Sequence, residues 1–379
     1  MICPMPWRTD LGGPRVQLEL ADELRAIGHH VDKFSWEDAR SDRRLPRPSS
    51  GPLGWFSAKA QRRIRESAGE YDVIDAHQGT VTTSKASLGF GGSMVIRSVG
   101  LHHRYAHFLR RADPHRAPGP RHWLGRRREA MMLFAERRAV ERSFDAADRI
   151  IVPNRAEFDF LQLDPRWGSK ARIVPLPISS AEFSALSDVW RSVNGQPRLP
   201  VVSFVGSWHA RKGSGDWPRL AKLISEGLPG THLRFLGTGI TADDVRASLG
   251  AFASGSECVP HFHPTELPGL LRGVRVGACP SYIEGYGIAV VEQLAAGIPV
   301  VAYDVPGPRD ILGPMDPSLL VRPGDVEAMA RRIITLLAAD PAGLAALRDR
   351  CVARAAQLTW RHWVDTALSY YRERDERVG

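Results

Sequence analysis

The sequence is poor in cysteine, and its few cysteines lie far apart. Four occur among 379 residues, at Cys3, Cys258, Cys279 and Cys351. None forms a C-x-x-C pair or a Cys/His cluster with the spacing of metal ligands, so neither a disulfide framework nor a zinc site is indicated. We expect reduced cysteines that serve in packing.

Long apolar runs are also absent. No stretch approaches the roughly 20 apolar residues that span a bilayer, and the N-terminus lacks the basic-then-apolar pattern of a signal peptide. The sequence therefore predicts a cytoplasmic protein. The segment 1–4 is typical of the end of a first strand. Either the natural start lies a few residues earlier or this edge strand is short.

Acidic residues are scarce between Arg104 and Arg142, a segment dense in arginine and histidine in a chain of formal net charge +9. Two interpretations stay open for this basic segment, 104–142. It is either a solvated arginine-rich loop and helix, or a contact for an anion such as a lipid or nucleotide phosphate, including peripheral contact with the inner face of a membrane. No recognised nucleic-acid-binding motif is present, and we expect no nucleic-acid partner.

What the chain does contain is a β-α-β rhythm. Its apolar content of 43% and its length suit a globular protein with two domains of ordinary size. Short β-branched runs alternate with segments whose apolar residues recur every three or four positions, which predicts parallel sheets. Buried strands are predicted at 71–77, 93–100, 148–154, 171–177, 199–207, 231–239, 274–281 and 298–305.

The rhythm restarts after residue 198, which divides the chain. We predict an α/β protein with an N-terminal Rossmann-like domain at 1–180 and a C-terminal one at 199–355. The Ser-, Asn-, Gly- and Pro-containing stretch 181–198 is interpreted as a linker. Two doubly wound domains should face a central cleft, with ligands at the carboxyl ends of the strands. The helical segment 356–379 is predicted to pack back on the first domain.

Two glutamates, Glu284 and Glu292, bracket a glycine turn in the stretch PSYIEGYGIAVVEQLAAGIPVV. Gly285 and Gly287 permit a loop, and helical spacing begins at Ile288, so a helix N-terminus follows the turn. Its N–H groups and dipole favour an anion such as phosphate. Eight helical residues rise about 12 Å, so the two carboxylates are expected to have separate roles.

Two adjacent cations follow another predicted strand. In VVSFVGSWHARKGSGDW, Gly206 ends the strand, and Arg211 and Lys212 stand in the loop behind it. Cations at the carboxyl end of a strand suit a diphosphate, whose negative charge they stabilise. A basic surface turn is the alternative when this motif is taken alone.

Together the two motifs resemble the signature of retaining glycosyltransferases of the two-Rossmann-domain GT-B fold, especially glycosyltransferase family 4, the glycosyl transferases group 1. A Glu-x7-Glu pattern stands before AAGIPVVA, and a G-x5-K-G pattern runs from Gly206 to Gly213. Weaker matches extend the resemblance over nearly the whole chain, and GT-B is the fold that it implies.

The resemblance implies roles for the residues of both motifs. Glu284 would contact the donor sugar, Glu292 would hold the ribose hydroxyls, and N–H groups at Gly287 and Ile288 would meet the diphosphate. Glu284 is thereby a candidate catalytic residue.

The cation loop departs from the family in one position. Arg211 and Lys212 would stabilise the leaving diphosphate and are candidate catalytic residues. Members commonly carry an arginine directly after the first glycine, where this chain has Ser207. Arg211 could supply the missing charge.

Weaker matches to the family lie in the segments that would contact the diphosphate and the nucleobase of the donor nucleotide. The stretch LGGPRVQLELADELRAIGHHV resembles the family's first glycine loop and helix, which would bring Gly12 and Gly13 near the diphosphate. The stretches RFLGTG and ECVPHFHPTELPGLL resemble the segments around the nucleobase, with Val259 and Pro260 against the base.

The acceptor side follows the family less closely. Members often carry S-H-G-L-E-H-R, whereas this chain has a valine, Val99, where that pattern places its first histidine. The resemblance implies acceptor contacts for His102, His103 and Arg104, with His103 a further candidate catalytic residue near the reaction centre.

These motifs predict a retaining transfer of a hexose-type sugar from a nucleotide-diphosphate donor, UDP being favoured, to a glycan or lipid-linked acceptor. No D-x-D pair stands at a strand end, so neither a metal ion nor another cofactor is expected. Synthesis of a cell-surface polysaccharide, lipopolysaccharide or glycolipid is the expected setting.

Three alternatives remain. A nucleotide-sugar hydrolase or epimerase of the same fold would consume donor without an acceptor. A basic nucleic-acid-binding protein would show strong, steeply salt-dependent binding. A protein that binds a nucleotide sugar without catalysis is the third.

Overall fold

The computed structural model describes residues 1–8, 12–41, 51–103, 123–192, 200–253 and 255–373. The chain divides into two compact units. Of the described residues, those up to Leu176 and those from Trp363 onward form the first unit, and those from Pro177 to His362 form the second.

The first unit contains a four-stranded parallel sheet. Its strands follow one another in the order β1 Val73–His77, β2 Ser93–Arg97, β3 Arg149–Val152 and β4 Ala171–Ile173. Every residue of β3 is buried, as expected of a parallel strand that is covered on both faces. Ile2 forms isolated parallel bridges with Phe34 and Ala76.

Helices cover this sheet. They are α1 Gly12–Ala26, α2 Trp36–Ser41, α3 Gly51–Glu66, α4 Lys85–Leu88, α5 Trp123–Ala146 and α6 Arg155–Gln162, with a 3-10 turn at Gly168–Lys170. Helix α1 buries one side through Val16, Leu20 and Leu24, which recur every four residues. The Asn154 side chain caps α6 by accepting a hydrogen bond from the Glu157 N–H at 2.9 Å.

The second unit contains a six-stranded parallel sheet in the order β10-β9-β8-β5-β6-β7. The strands are β5 Val201–Val205, β6 His232–Leu236, β7 Ser256–Val259, β8 Val276–Cys279, β9 Val300–Tyr303 and β10 Leu320–Val321. The chain builds outward from β5 to β7 and then continues on the other side of β5 with β8. The β5/β8 pair is therefore the topological switch point of this sheet, where doubly wound folds bind their ligands.

The helices of the second unit begin with α7 Ser180–Ser192. The others are α8 Trp217–Gly227, α9 Ala242–Leu249, α10 Leu267–Leu270, α11 Ile288–Ala295, α12 Pro306–Leu312, α13 Val326–Ala338 and α14 Pro341–Ala356. Short 3-10 turns lie at Ala210–Lys212, Ser214–Asp216, Gly250–Ala253, Pro264–Glu266 and Pro317–Leu319. A last helix, α15 Trp360–Arg372, carries the chain into the first unit.

All eight predicted strands are present, but two observed strands were not predicted. Strand β7 was interpreted only as part of a nucleobase segment, and β10 has two residues, too few for a periodic signal. The predicted linker 181–198 is instead helical as far as Ser192. Leu186 and Val189, three residues apart, bury one side of α7, and burial of that side outweighs the polar composition of the segment.

A buried charge network attaches α15 to the first sheet. Arg97 is in register with His77, so Asp75, two residues earlier on β1, lies on the same face and accepts a hydrogen bond from Arg97 Nη2 at 2.7 Å. The Tyr371 hydroxyl donates to Asp75 and accepts from Arg97 at 3.1 Å. Burial alone would raise the pKa of Asp75, but Arg97 and Tyr371 hold it below the ordinary value.

None of the helices in the described part of the chain combines the length and the hydropathy needed to cross a bilayer.

Substitution Tyr371→Phe should loosen α15 from the first sheet. It removes a hydroxyl from a buried charged pair, and we expect a loss of about 1–2 kcal/mol in the free energy of unfolding of the first unit. Hydrogen exchange of the α15 amides should accelerate. Tyr370→Phe is the control, because the Tyr370 ring lies by Arg172 and would be retained. If the α15 amides exchange at the same rate in both variants, the Tyr371 hydroxyl does not hold α15 to the first sheet.

Candidate functional site

The candidate site lies at the carboxyl ends of β5 and β8, the neighbouring parallel strands of the switch point. Ser203 and Gly277 are paired in register there. The loop after β5 carries the two predicted cations, and the loop after β8 carries the first predicted glutamate. Since parallel neighbours end at the same edge, residues far apart in sequence meet there.

The loop after β5 is shaped by two glycines with positive φ. Gly206 has a φ of +147°, and its N–H donates to the Leu236 carbonyl at 2.8 Å. His209 caps the 3-10 turn at Ala210–Lys212, and its Nδ1 accepts a hydrogen bond from the Arg211 N–H at 3.3 Å. The turn ends at Gly213, with a φ of +77°. The turn thus fixes the backbone of both cations.

The two loops are in direct contact. A Cβ on Gly213 would lie 2.1 Å from the Pro280 carbonyl oxygen, closer than atoms can approach. The Arg211 carbonyl accepts a hydrogen bond from the Tyr282 N–H at 2.9 Å. Only glycine therefore permits this approach of the backbones.

Lys212 and Glu284 form an ion pair across the two loops. The Lys212 Nζ donates to Glu284 Oε1, and the Ser281 hydroxyl donates to the same oxygen at 2.9 Å. Glu284 is only 8% exposed. Burial alone would raise the pKa of its carboxyl, but Lys212, Arg211 and Ser281 together hold that pKa below its ordinary value. The site thus keeps a buried carboxylate charged beside two cations.

A second buried carboxylate, Asp216, ties the loops to β9. Its Oδ2 accepts from the Tyr282 hydroxyl at 2.8 Å and from the Tyr303 hydroxyl at 2.6 Å. The pKa values of both tyrosines are raised, first by burial and then by the hydrogen bond to Asp216. Sequence reasoning missed these three residues. The only available signal was an acid shortly after the cation motif.

Helix α11 begins at the site. Gly287, with a φ of +101°, precedes it, and Ile288 is its first residue, as predicted. The Val290 N–H donates to the Gly287 carbonyl at 2.8 Å. The N–H groups of Ile288 and Ala289 come before this first hydrogen bond of the helix, where N–H groups are available to an anion. Glu292 lies one turn further along and is 5% exposed. The structure thus places the Glu292 carboxylate on the helix that begins at the glycine turn, and its role toward the ribose stays a prediction.

Gln293 joins α11 to the centre of the sheet. Its Oε1 accepts from the Ser203 hydroxyl at 2.7 Å, and its Nε2 donates to the Ala289 carbonyl at 2.9 Å. Gly277 leaves room for this, because a Cβ there would lie 2.3 Å from Gln293 Oε1. The helix that carries Glu292 is thereby fixed relative to β5.

The predicted nucleobase segments also meet at this edge. The Gly237 N–H donates to the Val259 carbonyl at 2.8 Å, and the Gly239 N–H donates to the Pro260 carbonyl at 3.0 Å. Strand β7, which ends at Val259, is two strand positions from β5, a spacing of about 10 Å. Val259 and Pro260 therefore lie at the same edge of the sheet as the loop that carries Lys212.

In the first unit, Gly12 and Gly13 open α1 as predicted. A Cβ on Gly13 would lie 2.9 Å from Met5 Cε and 3.5 Å from Val99 Cγ2. The glycine loop is therefore next to Val99, the position at which the chain departs from the family pattern.

The two predicted acceptor-side histidines face α5. His103 Nε2 lies 3.6 Å from Glu141 Oε1, and His102 Nδ1 lies 3.8 Å from Glu136 Oε2. Burial lowers the pKa of His103, and Arg137 adds to this while Glu141 opposes it. The lowered pKa favours the neutral imidazole of His103. Arg104 lies outside the described residues.

The structure brings together the predicted residues of the second unit around one sheet edge. These are Gly206, Arg211, Lys212, Val259, Pro260, Glu284, Gly287, Ile288 and Glu292. The first unit carries Gly12, Gly13, His102 and His103. Their roles toward a ligand stay predictions. Among the described residues, no three His, Cys, Asp or Glu side chains form a metal-binding group.

The sequence of the second unit matches a known family. Residues 199–339 fit the family model "Glycosyl transferases group 1". The D-inositol 3-phosphate glycosyltransferase of Rhodococcus opacus (strain B4) is 29% identical over 241 residues, which are 60% of this chain and 53% of that protein. The chain thus spans about half the length of that curated relative.

Solved structures show the fold. WaaG, "a glycosyltransferase involved in lipopolysaccharide biosynthesis", matches with a TM-score of 0.70 at 16% identity and covers 98% of this chain and 99% of its own. Anabaena Alr3699/HepE, solved in complex with UDP and glucose, matches with a TM-score of 0.66 at 15% identity and covers 97% of each chain. The predicted resemblance and the predicted GT-B fold are confirmed.

Substitution Gly213→Ala should disrupt the contact between the two loops. The new Cβ would meet the Pro280 carbonyl, which is backbone and cannot turn away. We expect a loss of more than about 2 kcal/mol in the free energy of unfolding of the second unit.

Gly230→Ala is the matched control, because Gly230 has a similar φ of +84° with no atom within 4 Å of the new Cβ. It should lose only about 1 kcal/mol. Chemical denaturation measures both, and equal losses would show that the Pro280 contact is unimportant.

The Lys212–Glu284 pair should make stability depend on pH. The folded-state pKa of Glu284 lies below the unfolded value of about 4.5, so its contribution is complete above that pH and is lost as the pH falls through the folded-state pKa. Relative to Glu284→Gln, which cannot titrate, the wild type should lose stability as the pH falls below about 4.5. Denaturation curves that stay parallel over this range would contradict the lowered pKa.

Proposed function

Because residues 199–339 belong to the glycosyl transferases group 1 family, we propose that the chain is a retaining glycosyltransferase. It moves a hexose-type sugar from a nucleotide-diphosphate donor to a hydroxyl of a glycan or lipid-linked acceptor. Cytoplasmic synthesis of a cell-surface polysaccharide, lipopolysaccharide or glycolipid is the proposed setting. The single observation that carries the proposal is the buried Lys212–Glu284 pair at the β5/β8 switch point.

The cations act on the leaving group. When the anomeric carbon separates from the diphosphate, negative charge grows on the phosphate oxygens. Lys212, Arg211 and the N-terminus of α11, which lie at one sheet edge, stabilise that charge in the proposed reaction. Glu284, held as a carboxylate, faces the sugar and accepts hydrogen bonds from its hydroxyls.

Retention follows from attack on the face that the leaving group vacates. The bond from the anomeric carbon to the phosphate oxygen breaks, a bond to the acceptor oxygen forms, and the phosphate oxygen takes the acceptor proton. No side-chain nucleophile is assigned. The cations and the helix N-terminus supply the charge stabilisation that a metal ion would otherwise give, so the proposed reaction is metal-independent.

UDP is the proposed nucleotide. Support comes from the fold neighbour whose structure contains UDP and glucose. One relative is named for D-inositol 3-phosphate, and one fold neighbour is described as involved in lipopolysaccharide biosynthesis, so the two names indicate no common acceptor. The acceptor is therefore proposed only as a hydroxyl of a glycan or a lipid-linked molecule.

Calorimetric titration of the purified protein with UDP, GDP and ADP, without added metal, tests the donor site. We expect UDP to bind most tightly. Lys212→Met removes a charged hydrogen bond to phosphate, and Glu292→Gln weakens those to ribose, so each should lower UDP affinity about 10- to 100-fold. Glu284→Gln should not lower it, because Glu284 faces the sugar and competes with phosphate for Lys212.

Lys222→Met and Glu226→Gln are matched controls, because these residues form an exposed pair on α8. Both should bind UDP like the wild type. If no nucleotide binds, or if the site variants and the controls behave alike, the donor site is wrongly placed.

Turnover of UDP-sugars separates transfer from hydrolysis or epimerisation. Transfer predicts UDP release that depends on an added acceptor and a product that keeps the anomeric configuration. Release at the same rate without acceptor would favour a hydrolase, and sugar isomerisation would favour an epimerase of the same fold.

A further inference from the structure

Helix α5 of the first unit presents large apolar side chains to solvent. Met131 is 72% exposed and Phe134 is 63% exposed. Arg127, Met131, Phe134 and Arg138 follow one another at intervals of four, three and four residues, so they lie along one side of the helix. We name these four residues the outer stripe of α5.

The outer stripe is not the side by which α5 packs. Val140, Ser143 and Phe144 are buried and lie on the opposite side of the helix. The helix is therefore already held to the first unit, and its outer stripe is a surplus apolar surface. Met132 is also 51% exposed, but it lies about 100° around the helix from Met131 and is therefore not part of the outer stripe. A contiguous exposed apolar surface on a helix marks an interaction site more often than a single exposed residue does.

Arginines surround this apolar surface. Arg127, Arg128, Arg137, Arg138 and Arg142 are all exposed. The Arg138 guanidinium lies 6.0 Å from the centre of the Phe134 ring. Glu141, which pairs with Arg137 at 2.7 Å and with Arg138 at 3.3 Å, is only 12% exposed, and the Glu136 side chain is 40% exposed. The exposed arginines therefore outnumber the acids whose side chains the structure describes on this part of α5.

The combination of arginines and exposed apolar side chains favours an anionic bilayer over a second copy of this chain or a nucleic acid as the partner of the outer stripe. A second copy of this chain, meeting the same surface about a twofold axis, would bring two arginine clusters together. A nucleic acid would match the charge but would leave Met131 and Phe134 without an apolar partner. An anionic bilayer offers phosphates for the arginines and an acyl boundary for the apolar side chains.

We propose that the outer stripe of α5 docks the protein on an anionic lipid surface, with Met131 and Phe134 entering the boundary between headgroups and acyl chains. The arginines at both ends of the stripe bind lipid phosphates. The inference narrows the predicted membrane contact of segment 104–142 to one side of one helix, since residues 104–122 lie outside the described residues. It does not depend on the reaction proposed for the second unit.

Cosedimentation of the full chain with vesicles tests the proposal. Vesicles of phosphatidylcholine alone should bind little, and vesicles with added phosphatidylglycerol should bind well. Because arginine attraction is screened, binding should weaken when salt rises from about 0.1 M to about 0.5 M. The apolar variant Met131→Ser with Phe134→Ser should bind anionic vesicles at least about tenfold more weakly. The charge variant Arg127→Gln with Arg138→Gln should bind about twentyfold more weakly.

Two control variants carry equally exposed substitutions elsewhere on the first unit. Leu163→Ser removes an apolar side chain that is 83% exposed, and Arg155→Gln removes an arginine whose side chain is 68% exposed. Neither should change vesicle binding. All variants should retain the circular dichroism of the wild type and its UDP titration, since the substituted side chains are exposed and lie outside the donor site.

Three results would overturn the proposal. The first is equal binding to neutral and anionic vesicles, and the second is unchanged vesicle binding in both stripe variants. The third is that the protein does not bind vesicles but binds a single-stranded RNA, or forms dimers in sedimentation, and that the stripe variants lose this RNA binding or dimerisation. Loss of UDP binding with vesicle binding intact would count against the proposed function alone.

Discussion

Strands β5 and β8 are neighbours in a parallel sheet, and the convergence of their carboxyl ends is the constraint on which the candidate site depends. It places Lys212 against Glu284 and lets Gly213 contact the Pro280 carbonyl. Each of these contacts requires the other, because a displaced loop would leave a buried carboxylate without its cation. The helix N-terminus at Ile288 is placed by the same loop. One strand pairing thus positions both the charges and the dipole.

An ion pair with a buried partner contributes little net free energy to the stability of a fold. Removing a carboxylate from water costs several kcal/mol, and an apolar pair of similar volume often does as well or better. The second unit supports its pair with Ser281 and Arg211, and it braces the surrounding loops through Asp216 and two tyrosines. Several polar groups that keep one buried carboxylate charged are typical of functional sites, where the charge takes part in binding or catalysis.

The sequence was informative where a signal is local. The strands followed from β-branched runs, and the motif residues Lys212 and Glu284 followed from glycine turns beside charged residues. The Asp216 network joins residues 66 and 87 positions apart, and no local pattern connects an acid with two distant tyrosines. The pairing of His103 with Glu141 depends on how α5 packs, which periodicity does not give. The polar composition of α7 predicted a linker, but the segment is helical because one of its sides is buried in the second unit.

The distance along the chain between Lys212 and Glu284 has a consequence for how the protein acquires its site. Seventy-two positions separate the two residues, and β6, β7 and β8 lie between them in the chain. Closing so long a loop costs entropy before any contact can repay it, and parallel pairing is intrinsically slow. The site is therefore completed only after β8 has been made and has joined β5. A nascent chain that stops short of β8 contains the cations but has no carboxylate to hold them.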